Sequence, residues 1–143
     1  SYTTRPPRYE GEYGHTFISA EEFSRIQLIA YTRYNDYEYG VDEKLIDEAN
    51  LYVIDANGIK VLNKLYHNRP LKVIMLSCTD DIAKARMKSR GDCDNAIDAR
   101  IEIDNSYLIP SCIPLADVVI ENNNTQNEAV DKVWQFIIKC EGL

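Results

Sequence analysis

Leu71-Lys72-Val73-Ile74-Met75-Leu76-Ser77-Cys78 is the stretch that decides the fold class of this 143-residue chain. It is short and almost continuously apolar, and similar runs cover residues 51–56 and 116–121. Strands that are apolar on both faces are typical of parallel sheets covered by helices. The spacing of apolar residues between and after the runs predicts helices over residues 58–66, 80–89, 96–109 and 126–140. We therefore predict an α/β core, a parallel sheet flanked by helices, over residues 51–143.

In residues 1–50 the predicted elements are shorter, and turns, short strands and helix starts follow one another closely. Gly11 and Gly14 predict turns, with a short strand within residues 9–18. Ser19-Ala20-Glu21-Glu22 is a capping box, which predicts a helix over residues 20–29. Four tyrosines within residues 31–40 suit either a half-buried strand or a nucleotide cleft, and a polar helix is predicted over 42–50. This part of the chain is expected to form a small mixed α+β subdomain.

The composition limits the classes of partner. The chain has 23 acidic and 16 basic side chains and a formal charge of -7. This disfavours general binding to nucleic acid or to anionic membranes, because phosphate polymers select basic surfaces. No apolar run approaches the roughly 20 residues that span a bilayer, and no signal-peptide core is present. The four cysteines lie far apart without a Cys-x-x-Cys pair, so reduced thiols are expected, with no metal site, in a cytoplasmic protein.

Ser1-Tyr2-Thr3-Thr4-Arg5-Pro6-Pro7-Arg8 is the first candidate binding segment. Two guanidiniums three residues apart, preceded by hydroxyls, form a compact clamp for phosphate or carboxylate. Each planar guanidinium donates to two oxygens at once, and the hydroxyls add further donors. A solvated basic terminus is the ordinary alternative for two such arginines. On these residues alone the alternative stays open.

Further candidate positions lie in the predicted core. Asp55 ends the first apolar run, at the edge where ligands of parallel sheets gather, although an aspartate there can equally cap the next helix. Arg86-Met87-Lys88-Ser89-Arg90-Gly91 and, further on, Arg100 form a second basic cluster, for which a solvated helix face is the common alternative. Asn122 and Asn123 follow the last run, where an ordinary loop is the alternative.

The order and spacing of these pieces resemble those of guanylate kinases, a family of P-loop nucleoside monophosphate kinases. The resemblance extends from residue 1 to about residue 143 and rests on Ser1-x-Thr3-Thr4-Arg5-x-x-Arg8, Glu12, Gly14, Phe17, Ser19, Tyr39-Gly40 and Asp55-x-x-Gly58. It implies a monophosphate-binding subdomain at residues 1–50 and a P-loop kinase-like core at residues 51–143. The implied reaction is ATP and GMP, or a related monophosphate, to ADP and GDP, with Mg²⁺ accompanying ATP.

The resemblance also implies roles for individual residues. The implied acceptor-binding residues are Ser1, Arg5, Arg8, His15, Tyr39 and Asp55. His15 stands where the family usually has a phosphate-binding tyrosine, so the charge at this position depends on pH near neutrality. The implied catalytic residues, in a lid at about residues 86–100, are Arg86, Arg90 and Arg100, which offset charge during transfer. Asn122 and Asn123 are implied to lie near the adenine of ATP.

The chain departs from the family at the donor site and the base pocket. None of its glycines is followed by Lys-Ser or Lys-Thr, so the phosphate-cradling loop and its strand are expected in residues upstream. The family reads guanine with a glutamate and a hydroxyl residue where this chain has Ala30 and Val41, so weak base discrimination is expected. The 143 residues alone are predicted to be inactive. The alternatives are an inactive guanylate-kinase-like module that binds a nucleotide or a phosphorylated peptide, or an α/β fragment without activity.

Overall fold

The structure is a computed structural model that describes residues 1–34 and 36–142. The chain divides after Leu71 into two compact units. The functional division predicted after residue 50 stays a prediction, since it concerns ligand binding rather than compactness. Among the described residues, none of the helices is both long enough and apolar enough to cross a bilayer.

The first unit is built on a four-stranded sheet with the strand order β2-β1-β4-β3. The strands are β1 (Tyr2–Thr3), β2 (Thr16–Phe17), β3 (Ala30–Tyr34) and β4 (Tyr37–Val41). β3 and β4 form an antiparallel hairpin, and β1 pairs antiparallel with β4 and parallel with β2. The tyrosine-rich segment therefore forms two paired strands, as the strand interpretation predicted.

Three helices complete this unit: α1 (Ala20–Ser24), α2 (Glu43–Glu48) and α3 (Ala56–Leu65). The capping box that begins α1 is confirmed, because Ser19 Oγ accepts from the Glu22 amide and the Glu22 carboxylate accepts from the Ser19 amide. The predicted extent of this helix to residue 29 is wrong. The Ile29 amide donates to the Val41 carbonyl at 2.9 Å, so the chain enters the sheet instead of continuing the helix.

The strand predicted over residues 51–56 is also wrong. Its first five residues form neither strand nor helix, and α3 begins directly after them. An apolar run becomes a strand only where a neighbouring strand takes its backbone hydrogen bonds, and no described residue does so here. Leu51 and Val53 are 74% and 97% exposed, whereas Tyr52 and Ile54 pack against the core.

The core of the first unit lies where the β3–β4 hairpin meets α2 and α3. Its buried members are Ile29, Ala30, Val41, Ile46, Leu62 and Tyr66. Polar contacts close its edge: the Tyr66 hydroxyl donates to Asp47 Oδ1 at 2.6 Å, and Arg69 donates to the carbonyls of Ile46 and Ala49. Arg69 thereby satisfies the Ala49 carbonyl just past the end of α2, and adds a second bond to the Ile46 carbonyl, which already accepts from the Ala49 amide. The hairpin thus packs against both helices.

The second unit contains a parallel pair of strands, β5 (Ile74–Ser77) and β6 (Val118–Glu121), with Ile74 opposite Val118. Its helices are α4 (Asp80–Ser89), α5 (Asp94–Ile103), α6 (Ile109–Cys112) and α7 (Gln126–Glu141). The helix predicted over 96–109 begins earlier and passes through a π-helical turn, Asp104–Leu108, before α6. A mixed α/β architecture with small sheets is confirmed, including the parallel pairing of the two later apolar runs.

Candidate functional site

Strand pairing in the first unit brings Ser1, His15 and Tyr39 together. β1 lies between β2 and β4, so the residues at the start of β1 and β2 meet the middle of β4. The Ser1 hydroxyl lies 2.8 Å from Nδ1 of His15. The rings of His15 and Tyr39 meet edge-on, with 5.8 Å between their centroids. Three of the predicted acceptor-binding residues are thus adjacent although they are distant in sequence.

Arg5 is a buried cation held by Glu12. Its Nη2 donates to Glu12 Oε1 at 2.7 Å and its Nη1 to Oε2 at 3.2 Å, with side chains only 9% and 7% exposed. The guanidinium also lies over the Phe17 ring, 5.3 Å from its centroid. Hydrogen bonds from Arg5 and from the Arg8 amide lower the pKa of Glu12 to about 2. A bidentate pair and a ring face therefore fix one orientation of the Arg5 side chain.

One donor of Arg5 has no acceptor. The Nε atom is buried, and no described residue takes its hydrogen bond. The bonds from Arg5 to Glu12, with a smaller contribution from Tyr39, raise the pKa of the guanidinium, so it stays charged at any ordinary pH. A buried donor without a partner costs about 1 to 3 kcal/mol. The site therefore contains one buried N–H group without a hydrogen-bond partner among the described residues.

Arg8 is the exposed cation of the pair. Its amide donates to Glu12 Oε2 at 2.6 Å, which ties its backbone to the Arg5–Glu12 pair. Within residues 1–34 and 36–142, nothing accepts a hydrogen bond from its guanidinium. Because Glu12 neutralises Arg5, the cluster keeps one net positive charge, at Arg8. The clamp thus consists of one guanidinium that Glu12 holds in place and one that is exposed and available to a ligand.

His15 is neutral in this setting at neutral pH. Burial lowers its pKa, and the positive charges of Arg5 and Arg8 act in the same direction, with Glu12 opposing them. A neutral imidazole with Nδ1 near the Ser1 hydroxyl still has its second nitrogen to offer. The residue is placed to respond to any change of charge at the clamp.

Asp55 takes the structural role that the sequence left open. One carboxylate oxygen accepts from the Gly58 amide at 2.7 Å and caps α3, and the other accepts from the Thr32 hydroxyl at 2.5 Å. The cap leaves little space, because a Cβ on Gly58 would lie 2.7 Å from Ile54. Asp55 also adds to burial in raising the pKa of Tyr52. Its predicted place beside the acceptor stays a prediction.

Ala30 and Val41, at the predicted base-reading positions, lie inside the core. They pair directly across the β3–β4 hairpin, and each is 2% exposed or less. Ile46, Leu62 and Tyr66 belong to the same buried cluster. Neither position offers a side-chain hydrogen bond to a base.

In the second unit, Arg86 lies against the segment that follows β6. Its guanidinium donates to Asn122 Oδ1 at 3.4 Å and to the Asn124 carbonyl at 3.3 Å. Asn123 Oδ1 accepts from the Thr79 amide at 3.0 Å. The structure thus places Arg86 against Asn122, one of the two predicted adenine-site asparagines, whereas Asn123 bonds to Thr79, in the segment between β5 and α4.

The other two lid arginines are engaged by nearby carboxylates. Arg90 pairs with Asp92, and Arg100 pairs with Asp104 at 2.9 Å. These partners lie close in sequence, and all four side chains keep substantial exposure, so the pairs contribute little to stability and can be exchanged. The catalytic role of the three lid arginines stays a prediction.

Comparisons with known proteins point to one family, although no family model matches the chain. The guanylate kinase of Nitrosomonas europaea is 25% identical over 156 residues, which cover 100% of this chain and 75% of that protein. The guanylate kinase of Porphyromonas gingivalis is 30% identical over 116 residues, which cover 71% and 62%. The crystal structure of guanylate kinase from Anaplasma phagocytophilum matches 98% of this chain and 72% of its own, with a TM-score of 0.68 at 24% identity. This chain is guanylate kinase-like. The resemblance found in the sequence is thereby confirmed, and the structural likeness shows the fold.

Sequence reasoning missed how this guanylate kinase-like chain holds Arg5. Glu12 entered only as part of the resemblance, and its pairing with Arg5 was not predicted. A usable signal was present, because Glu12 stands between Gly11 and Gly14, both of which have positive φ angles, 79° and 94°. Such glycines turn the chain back on itself. An acidic residue inside such a turn, soon after two arginines, predicts a return contact.

The described residues of the guanylate kinase-like chain do not form a cage for magnesium. Among them, no three or more His, Cys, Asp or Glu side chains are grouped to hold a metal. Mg²⁺ in kinases is bound by one or two carboxylates together with substrate phosphates and water.

Proposed function

We propose that this guanylate kinase-like chain binds GMP or a related nucleoside monophosphate as the acceptor of the γ-phosphoryl group of ATP. The supporting observation is the Arg5–Arg8 clamp. It joins a buried guanidinium with an unsatisfied N–H to an exposed guanidinium without an acceptor. A phosphate dianion supplies oxygens for both and neutralises the remaining positive charge.

Each residue of the cluster has a distinct proposed task. Arg5 and Arg8 donate to the acceptor phosphate, and Glu12 fixes the direction from which Arg5 does so. The hydroxyls of Ser1 and Tyr39, at the same end of the sheet, add neutral donors. Holding the acceptor oxygen in line with the donor lowers the entropy cost of the transfer, which is the main contribution a protein makes to this reaction.

The donor side of the proposal rests on the resemblance. Arg86, Arg90 and Arg100 are proposed as the cations that stabilise charge on the transferring phosphoryl group, after exchanging their present partners for phosphate oxygens. Asn122 and Asn123 are proposed to lie near the adenine. Magnesium bound to ATP would supply further charge neutralisation. Arg86 already contacts a proposed adenine-site residue, Asn122.

A second candidate function is a catalytically inactive guanylate-kinase-like module that binds a nucleotide or a phosphorylated peptide. One observation favours it, the burial of Ala30 and Val41 in the core. The same arginine clamp serves both functions, so a binding measurement alone does not distinguish them. A measurement of phosphoryl-transfer turnover does distinguish them.

Binding is expected to depend on the phosphate and little on the base. GMP should bind, guanosine should not compete with it, and IMP and AMP should compete within about a hundredfold of GMP, since Ala30 and Val41 offer the base no hydrogen bond. Competition calorimetry with the four compounds is the measurement. A larger preference for GMP would mean that other polar groups read the base. Failure of GMP to bind at all would overturn the proposed function.

A further inference from the structure

We propose that binding of the acceptor phosphate at this site takes up one proton, at His15. The inference rests on the proposed function and goes beyond it, because it assigns a regulation to the site. Two guanidiniums and a newly formed imidazolium would then hold the phosphate. Affinity for the acceptor becomes coupled to pH in the neutral range.

The position of His15 carries the inference. Its Nδ1 lies 2.8 Å from the Ser1 hydroxyl, and its ring packs edge-on against Phe17 and Tyr39, at centroid distances of 6.1 and 5.8 Å. No described residue bonds to Nε2. The imidazole is therefore held in place by β1, β2 and β4 with one nitrogen available, and as an imidazolium it donates from both nitrogens.

Burial and the charged groups that face His15 keep it neutral while the clamp is empty. Burial lowers its pKa most, and the positive charges of Arg5 and Arg8 act in the same direction. Glu12 favours the proton, but its charge is already matched by Arg5. The ring neighbours of His15 from the strands are Phe17 and Tyr39.

A bound phosphate dianion reverses this balance. It places two negative charges beside the two guanidiniums, and an opposite charge within about 4 to 6 Å favours the charged form of a histidine. The pKa of His15 then rises, and a proton from solvent binds at pH values between those of the empty and the occupied site. Linkage makes the effect reciprocal, so protonation of His15 strengthens phosphate binding by the same factor.

The phosphate of the ligand also titrates, and its binding releases a proton where His15 takes one up. The two effects must therefore be measured separately. A phosphate monoester has its second pKa near 6, and a cationic site that prefers the dianion releases that proton. This release fades above pH 7, whereas uptake by His15 persists until the pH passes its raised pKa. Between pH 7 and 8.5, affinity of the unaltered chain should fall with pH, at most about tenfold per unit for one proton. The affinity of the His15→Gln variant for GMP should not change with pH over this range.

The experiment is calorimetric titration of the full chain with GMP at pH 7.5, in two buffers whose ionisation enthalpies differ. The dependence of the heat on the buffer gives the number of protons taken up. The unaltered chain should take up a substantial fraction of one proton and His15→Gln none. His67→Gln, which alters the other histidine, should behave like the unaltered chain. His15→Tyr keeps an aromatic ring against Phe17 and Tyr39 and should bind GMP without proton uptake.

Two outcomes would overturn the inference, and they differ from each other. If GMP binds and the unaltered chain, His15→Gln and His15→Tyr take up equal numbers of protons, His15 is not the site and the proposed function is untouched. If GMP does not bind to the unaltered chain, the proposed function fails and this inference falls with it. Should His15→Gln fail to fold, the comparison with His15→Tyr decides.

Discussion

Replacing Arg5 with alanine is expected to lower the Tm by about 10 °C or more and to abolish measurable GMP binding. The substitution leaves the Glu12 carboxylate, only 7% exposed, without the guanidinium that compensates its charge. Removing one partner of a buried pair is far more costly than removing an exposed pair, because the remaining charge stays desolvated. The loop that carries Arg8 is tied to Glu12 and should loosen as well. Thermal unfolding and calorimetry measure the two effects.

Arg25→Ala is the matched control for this experiment. It removes an arginine–glutamate pair with Glu21 whose side chains are 71% and 76% exposed, so the Tm should change by no more than about 3 °C. A change of similar size for Arg5→Ala would contradict the role given to the buried pair.

Lowering the pH should reduce the loss of thermal stability that Arg5→Ala causes. In the unaltered chain the pKa of Glu12 is lowered from 4.5 to about 2, so its stabilising contribution is complete above pH 4.5 and disappears as the pH falls towards 2. In Arg5→Ala, protonation below about pH 4.5 removes the unpaired charge. The difference in Tm between the two chains should therefore be largest near neutrality and shrink towards pH 3.

Residues 1–143 alone are expected to show no ATP-dependent phosphoryl transfer, at any concentration of GMP. A triphosphate needs a cradle of backbone amides and a lysine, and none of the six glycines is followed by Lys-Ser or Lys-Thr. Lid arginines neutralise charge but do not orient a triphosphate and its magnesium. A coupled assay of ADP release measures turnover, and a rate on the order of 1 to 100 per second from these residues alone would contradict the expectation.

A longer polypeptide separates the two candidate functions. It would carry a strand, a Gly-x-x-x-x-Gly-Lys-Ser loop and a helix before Ser1. An enzyme should gain turnover from this addition, and should lose it again when the loop lysine is replaced. An inactive module should bind GMP in both forms and turn over in neither.

Local signals in the sequence predicted local structure well. The helix over residues 80–89 was predicted with both of its ends, and the capping box at Ser19 was correct, because caps and first-turn acids act within a few residues. The apolar pattern of residues 51–56 wrongly predicted a strand, since a strand also needs a partner strand for its backbone hydrogen bonds. The early end of α1 has the same origin, because the Ile29 amide bonds to Val41, far along the chain.

The candidate site shows the same difference between local signals, which the sequence reveals, and contacts between distant residues, which it does not. The sequence identified Arg5 and Arg8 as a clamp but treated them as equivalent. The structure makes them different: Glu12 neutralises and buries Arg5, while Arg8 remains exposed. That difference depends on a loop that returns through Gly11 and Gly14, both with positive φ. The glycines signal a turn in the sequence, but only the fold determines that the Glu12 carboxylate then meets the guanidinium of Arg5 and not that of Arg8. The sequence left two roles open for Asp55, as a ligand-binding residue and as a helix cap. The structure shows the cap, because Asp55 accepts hydrogen bonds from the Gly58 amide and the Thr32 hydroxyl.

The central claim, that the Arg5–Arg8 clamp binds the acceptor phosphate, is tested most directly by calorimetric titration of GMP into the unaltered chain, Arg8→Ala and Arg25→Ala. A charge-assisted hydrogen bond contributes about 1.5 to 3 kcal/mol, so Arg8→Ala should bind GMP roughly ten- to a hundredfold more weakly. No described residue accepts a hydrogen bond from the Arg8 guanidinium, so the fold should be unchanged. Arg25→Ala should bind like the unaltered chain. Equal affinity of Arg8→Ala and the unaltered chain would contradict the claim.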